Sequence, residues 1–259
     1  MRRRCIAIGT LAWAAMLETA RRKDVYVVWF LSLFMLGAGS VFALMGVRGL
    51  EIFLRDLALT VVNLLSLIVC VWLAARQVPE EISRRTLFPL LARPIRRSDV
   101  LLGKWLAVWV MATGALLVLA GIAAGELALF GVPVPRIFWQ YLILRTFSFA
   151  VIAALVVALS LVTTPAATVT LSLLLTIGAT YFAGTLTLVY HQAASWTRPL
   201  LVAVYYLVPH LDLFDLSKKT AFGWPPIPAW VLTTLALYGA AYTAVFLGLA
   251  HLRFRRIAL

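Results

Sequence analysis

Long apolar runs alternate with short polar breaks along most of this chain. Runs near residues 25–46, 57–75, 100–119, 141–162, 168–190 and 229–251 each hold about 20 residues, the length an α-helix needs to cross the hydrocarbon of a bilayer. Ahead of them, residues 5–23 repeat with a helical period. Trp13, Met16, Leu17 and Ala20 share one side, while Glu18, Arg21 and Arg22 share the other. Glu18 and Arg22 are also spaced for an i,i+4 pair. This pattern predicts an amphipathic helix lying at a membrane surface. The expected fold is an all-α integral membrane protein: six transmembrane helices behind an N-terminal interfacial helix, in one domain over 1–259.

The polar breaks differ in kind. Thr163-Thr164-Pro165-Ala166-Ala167 carries no basic residue. Its proline favours a break between the fourth and fifth spans, with a kinked continuous helix as the alternative. The connection over 191–228 is long and holds Trp196, Tyr205, Tyr206, Trp224 and the run Pro225-Pro226-Ile227-Pro228. Aromatic residues of this kind anchor at membrane interfaces. Residues 196–208 fit a shallow helix or a re-entrant hairpin.

Composition supports the membrane reading. Hydrophobic residues are 63% of the 259, charged residues only 13%, and mean hydropathy is +0.99. A soluble domain carries nearer 25% charged residues. The net charge of +13 would suit a nucleic-acid binder, but the basic residues sit at the ends of apolar runs, as the positive-inside rule requires. With the amino terminus inside, 16 of the 23 Lys and Arg fall on one side. Residues 191–228 then form a long extracytoplasmic connection. Cleavage of the first apolar segment as a signal peptide would instead place the most basic loop outside. The expected location is the inner (cytoplasmic) membrane, with both termini cytoplasmic and no nucleic acid as partner.

Chemistry-bearing clusters are scarce. Cys5 and Cys70 belong to no CxxC or Cys/His pattern, and His191, His210 and His251 are scattered, so no metal site is expected. No carboxylate pair or Ser/His dyad lies at membrane depth, which argues against an intramembrane enzyme. Asn63, Ser66, Ser148, Ser160 and Thr170 lie within spans and can bond backbone or neighbouring helices. Arg145 sits a few residues into the fourth span, where it is expected to snorkel outward or pair with Glu126. No GxxxxGK[ST] phosphate loop is present, so this chain does not bind ATP in that manner.

The densest charge lies between the second and third spans, in a loop over 79–97. Pro79 suits a first helical turn, with Glu80 and Glu81 at its positive end. Glu81, Arg84, Arg85 and Phe88 then share one side, and a Phe among charges on a water-facing surface needs a partner to cover it. Pro89 and Pro94 end that helix, and Ser98 is placed to cap the next span. The order of the whole stretch is distinctive. Glu80 and Glu81 precede Arg84-Arg85-Thr86-Leu87; then come Leu90-Leu91-Ala92-Arg93-Pro94, the basic Arg96 and Arg97, and Leu101-Leu102-Gly103-Lys104.

This order resembles the conserved cytoplasmic loop of ABC-2 type transporter permeases. Arg85 departs from it, standing where many members carry Gly. The run from Val208-Pro209-His210 to Leu216 is similar to a stretch that precedes the last span in some of them. The resemblance implies a permease subunit, itself not an enzyme, in an ATP-driven exporter. It further implies a second permease copy and two ATP-binding subunits that carry ATP and Mg. Glu80, Glu81, Arg84, Arg85, Thr86, Phe88 and Arg93 would couple to the ATPase through a coupling helix, with Pro94, Gly103 and Lys104 completing the motif. A lining of Leu, Val, Ala and aromatics suits a hydrophobic or amphiphilic substrate of unread identity. The alternatives are a non-transporting scaffold or force-transmitting subunit, and a secondary transporter, which would need ionisable groups near the midplane or broken helices.

Overall fold

Helix α1 (Leu50–Ser83) runs unbroken for 34 residues through the second predicted span and beyond it. In the computed structural model, which describes residues 9–17, 30, 37, 50–83, 96–192 and 196–256, it is followed by α2 (Arg97–Leu129), α3 (Ile137–Ser160), α4 (Pro165–Gln192) and α5 (Arg198–Leu207). A 3-10 turn (Leu211–Phe214), α6 (Ser217–Ala221) and α7 (Ala229–Arg255) complete the order. Every element among the described residues is helical.

Four of these helices, α1, α2, α3 and α7, are long and apolar enough to cross a membrane. They coincide with the second, third, fourth and sixth predicted spans. The first, over 25–46, lies largely outside the described residues. The fifth falls on α4, whose described apolar stretch Pro165–Thr180 is shorter than a span. The break before α4 is real: α3 ends at Ser160, and Pro165 opens the new helix, where its missing N–H costs nothing. Thr163 and Thr168 close the gap with a hydroxyl–hydroxyl bond of 2.7 Å.

Burial sets the order of packing. Of the apolar window of α1 and of α3, 67% is buried, against 17% for α7. The first two therefore form the centre of the bundle, and α7 lies along α3 at the edge. Small side chains let backbones approach: Ala74 and Ala75 on α1 and Ala153 and Ala154 on α3 are fully buried. Trp105 and Trp109 stack 5.7 Å apart on α2 and donate their indole N–H groups to the carbonyls of Ala150 (3.0 Å) and Thr146 (2.8 Å) on α3. Polar atoms thus fasten a pair of helices that lipid would not drive together.

The helix ends follow from glycine and proline chemistry. Gly131 adopts φ +69° just past α2, its N–H reaches Ala128 and the next N–H reaches Leu127, a Schellman closure. Gly223, at φ +65°, closes α6 in the same way. In the run Pro225–Pro228 only Ile227 has an N–H. Gln140 satisfies both polar groups of Ile227, accepting at 2.7 Å and donating at 2.9 Å, and so ties the run to the start of α3.

Several expectations need correction. Pro79 does not begin a helix. It lies inside α1, where one lost bond, to the Ala75 carbonyl, is tolerated, and Arg76 and Glu80 pair across it at 3.8 Å. Ser98 is not a cap: α2 starts at Arg97 behind Arg96, and the Ser98 hydroxyl turns to Asp99 (3.3 Å). Arg145 neither snorkels nor pairs with Glu126. It is 5% exposed, because α3 turns it inward. In the segment 9–17, Ala12 and Ala15 are the contact face, packed on Ala107 of α2, while Trp13 and Leu17 are exposed. Of the two alternatives for residues 196–208, a helix, α5, is the one observed.

Candidate functional site

Two places in this fold concentrate chemistry. The first is the junction where α1 leaves the bundle and α2 enters it. Glu80 is half-buried in the last turns of α1, and Arg76 lies between it and the Trp72 ring, 4.2 Å from the ring centre. Glu81 is in the same helix. Arg84, Arg85, Thr86, Phe88, Arg93 and Pro94 lie outside the described residues. On the far side of the junction, Gly103 and Lys104 are buried within α2. The motif residues therefore fall into two groups, one at the end of α1 and one inside α2.

Arg97 has a role the sequence did not suggest. Its guanidinium donates to the carbonyls of Phe254 (3.0 Å) and Arg255 (3.4 Å) and lies over the Phe254 ring. Those carbonyls end α7, where a helix lacks internal donors and carries partial negative charge. Arg97→Ala is expected to lower stability by about 1–2 kcal/mol, the upper range for a cation at a partly buried helix terminus. Unfolding of the detergent-solubilised protein measures this. Arg96→Ala, at an exposed neighbouring position, should change it by less than about 0.5 kcal/mol. Equal losses would remove the capping role.

The second place is a polar centre inside the helices. Asn63 on α1 donates to Asp215 (3.2 Å), which follows the 3-10 turn. The other Asp215 oxygen accepts the Ser217 N–H at 2.9 Å, shaping the turn into α6. Arg145 on α3 reaches Ser148 (3.5 Å) and lies 5.1 Å over Phe149. Tyr141 lies one turn before Arg145 on the same helix and is fully buried. The Arg145 Nε, the Tyr141 hydroxyl and the Asn63 Oδ1 are buried without a hydrogen-bond partner among the described residues. Each such atom costs about 1–3 kcal/mol unless something bonds it.

The same connection carries His210. Its backbone N–H donates to the Tyr238 hydroxyl (3.0 Å), its ring lies 4.2 Å from that of Tyr205, and its Nδ1 is 3.9 Å from Asp212. The segment 208–216 thus enters the bundle with three ionisable groups. Sequence reading marked the segment but not Asp215, because its partner Asn63 is 152 residues away. Three other hydroxyls that the sequence places in spans bond their own helix: Ser66 to Val62, Ser160 to Val157, Thr170 to Ala166 and Ala167. Among the described residues, no group of three His, Cys, Asp or Glu converges as a metal site would.

No curated protein matches the chain. A family described as a protein of unknown function (DUF2705) matches over residues 46–259, a range that takes in α1 through α7 and both polar places, and the chain belongs to that family.

Proposed function

We propose that this chain is the membrane-spanning subunit of an ATP-driven ABC-2 type transporter, working as an exporter with ATP hydrolysed on a separate subunit. One observation carries the reading. The ordered motif from Glu80 to Lys104 joins two helices long enough to cross a membrane, α1 and α2. A coupling element must stand at such a junction, where a partner in water can push on two spans together. The full assembly in this reading has six spans per chain, two permease copies and two ATPase subunits, in the inner membrane with both termini cytoplasmic. ATP binding draws the ATPase subunits together, residues 80–97 move with them, and the spans repack.

A secondary transporter is the rival favoured by a specific feature, the buried charges of Arg145 and Asp215. Co-expression with the genes that neighbour its own, followed by purification in mild detergent, separates the two. The expected outcome is an ATPase recovered in equal amount with this chain. Transport that runs on an ion gradient with the ATPase gene deleted would overturn the proposal.

A further inference from the structure

The C-terminal end of α7 combines exposed apolar side chains with exposed arginines. Val245, Leu249 and Leu252 are exposed, at 56%, 54% and 58%. At 100° per residue these three and Arg256 fall within about 60° of one another around the helix. Arg256 keeps helical backbone angles as the C-cap. An apolar stripe two turns long therefore ends in a cation on the same face. Arg253 and Arg255 flank it, both exposed. Arg97, by bonding the Phe254 and Arg255 carbonyls, also brings the exposed Arg96 to this end. Four arginines from two distant parts of the chain thus surround one helix terminus. None of the four has an ion pair to a carboxylate among the described residues.

We propose that this end of α7 is a binding site for an anionic phospholipid. The acyl chain lies along Val245, Leu249 and Leu252, and the phosphate is held by Arg256 with Arg253, Arg255 and Arg96 around it. Arginine suits the role because its planar fork binds two phosphate oxygens together. An acidic protein would use the charges but would leave the apolar stripe unexplained. A lipid uses both. The inference does not depend on the transporter reading, since it concerns this chain alone.

The test is native mass spectrometry of the purified chain from mixed micelles with equal phosphatidylglycerol and phosphatidylcholine. Wild type should retain phosphatidylglycerol selectively. Arg253→Gln/Arg256→Gln should lower that selectivity by about fivefold for each arginine removed, the usual effect of one basic residue at an anionic surface. Arg136→Gln, exposed at the opposite end of the bundle before α3, should leave it unchanged. Soluble glycerol phosphate, which lacks the tail, should displace little bound lipid. Undiminished selectivity in the double variant would overturn the proposal. So would an equal loss in Arg136→Gln, or efficient displacement by glycerol phosphate.

Discussion

In the proposed transporter, replacing Phe88 by alanine is expected to reduce association with the ATPase subunit about thirtyfold, the effect of truncating an aromatic anchor worth about 2 kcal/mol. The expectation follows from the sequence around it. At helical spacing Phe88 would share a face with Glu81, Arg84 and Arg85, and an aromatic among charges on a water-facing surface is stable only when covered. In the proposed complex Phe88 fills an apolar recess while the charges set its orientation. Insertion and level in the membrane should not change, since Phe88 falls in the charged stretch between two apolar runs. Pull-down of the ATPase at matched membrane levels reads the effect. Wild-type association and transport in Phe88→Ala would mean the subunits dock through another face. Arg136→Ala, exposed at the opposite end of the bundle, is the surface control and should leave association unchanged.

Phe214→Ala is expected to destabilise the fold by about 3–5 kcal/mol, the usual cost of emptying a buried aromatic site. Phe214 is fully buried at the end of the 3-10 turn. It packs beside Tyr238, 6.1 Å between ring centres, and over Gly239, where a Cβ would come within 3.2 Å of its ring. Glycine at 239 is what lets the ring close onto α7. Removing the ring would leave a void between α3, α7 and the connection that carries His210, Asp212 and Asp215. Equilibrium unfolding by increasing SDS in mixed micelles measures the loss. Phe222→Ala, 62% exposed, is the comparison and should shift stability by less than about 0.5 kcal/mol. Similar losses in both variants would show that Phe214 does not fasten the connection.

Hydropathy located four helices well because crossing a bilayer demands a long apolar run whatever the neighbours are. It placed their ends poorly. The apolar run over 57–75 is the middle of α1, and the helix continues through Arg76 and Pro79 because its backbone bonds do not require apolar side chains. A proline just before two glutamates looks like a start from sequence, yet in α1 it sits within the last turns. Arg145 was misread for a related reason. Its sequence position says how deep it lies but not which face meets α1, and that face is inward. Asp215 and Asn63 are unremarkable in their own segments and meaningful only together. The Arg97 bonds to α7 join residues 157 positions apart. Contacts of that range are fixed by packing, which no local pattern encodes.

The continuity of α1 has a mechanical consequence. A helix of 34 residues is about 50 Å long and stiff along its axis. Glu80, near one end, and Asn63, in the interior, lie about 26 Å apart on the same rod. A tilt of about 5° at the Asn63 level would carry Glu80 sideways by about 2 Å over that length. A tilt about that level leaves the bond joining Asn63 to Asp215, at 3.2 Å, almost unstretched. The other end of the rod, at Leu50, is about 20 Å from Asn63 and would swing the opposite way by a little under 2 Å. A displacement at the charged end would thus reappear, reversed, at the far end of α1 while the connection that Asp215 anchors stays in place.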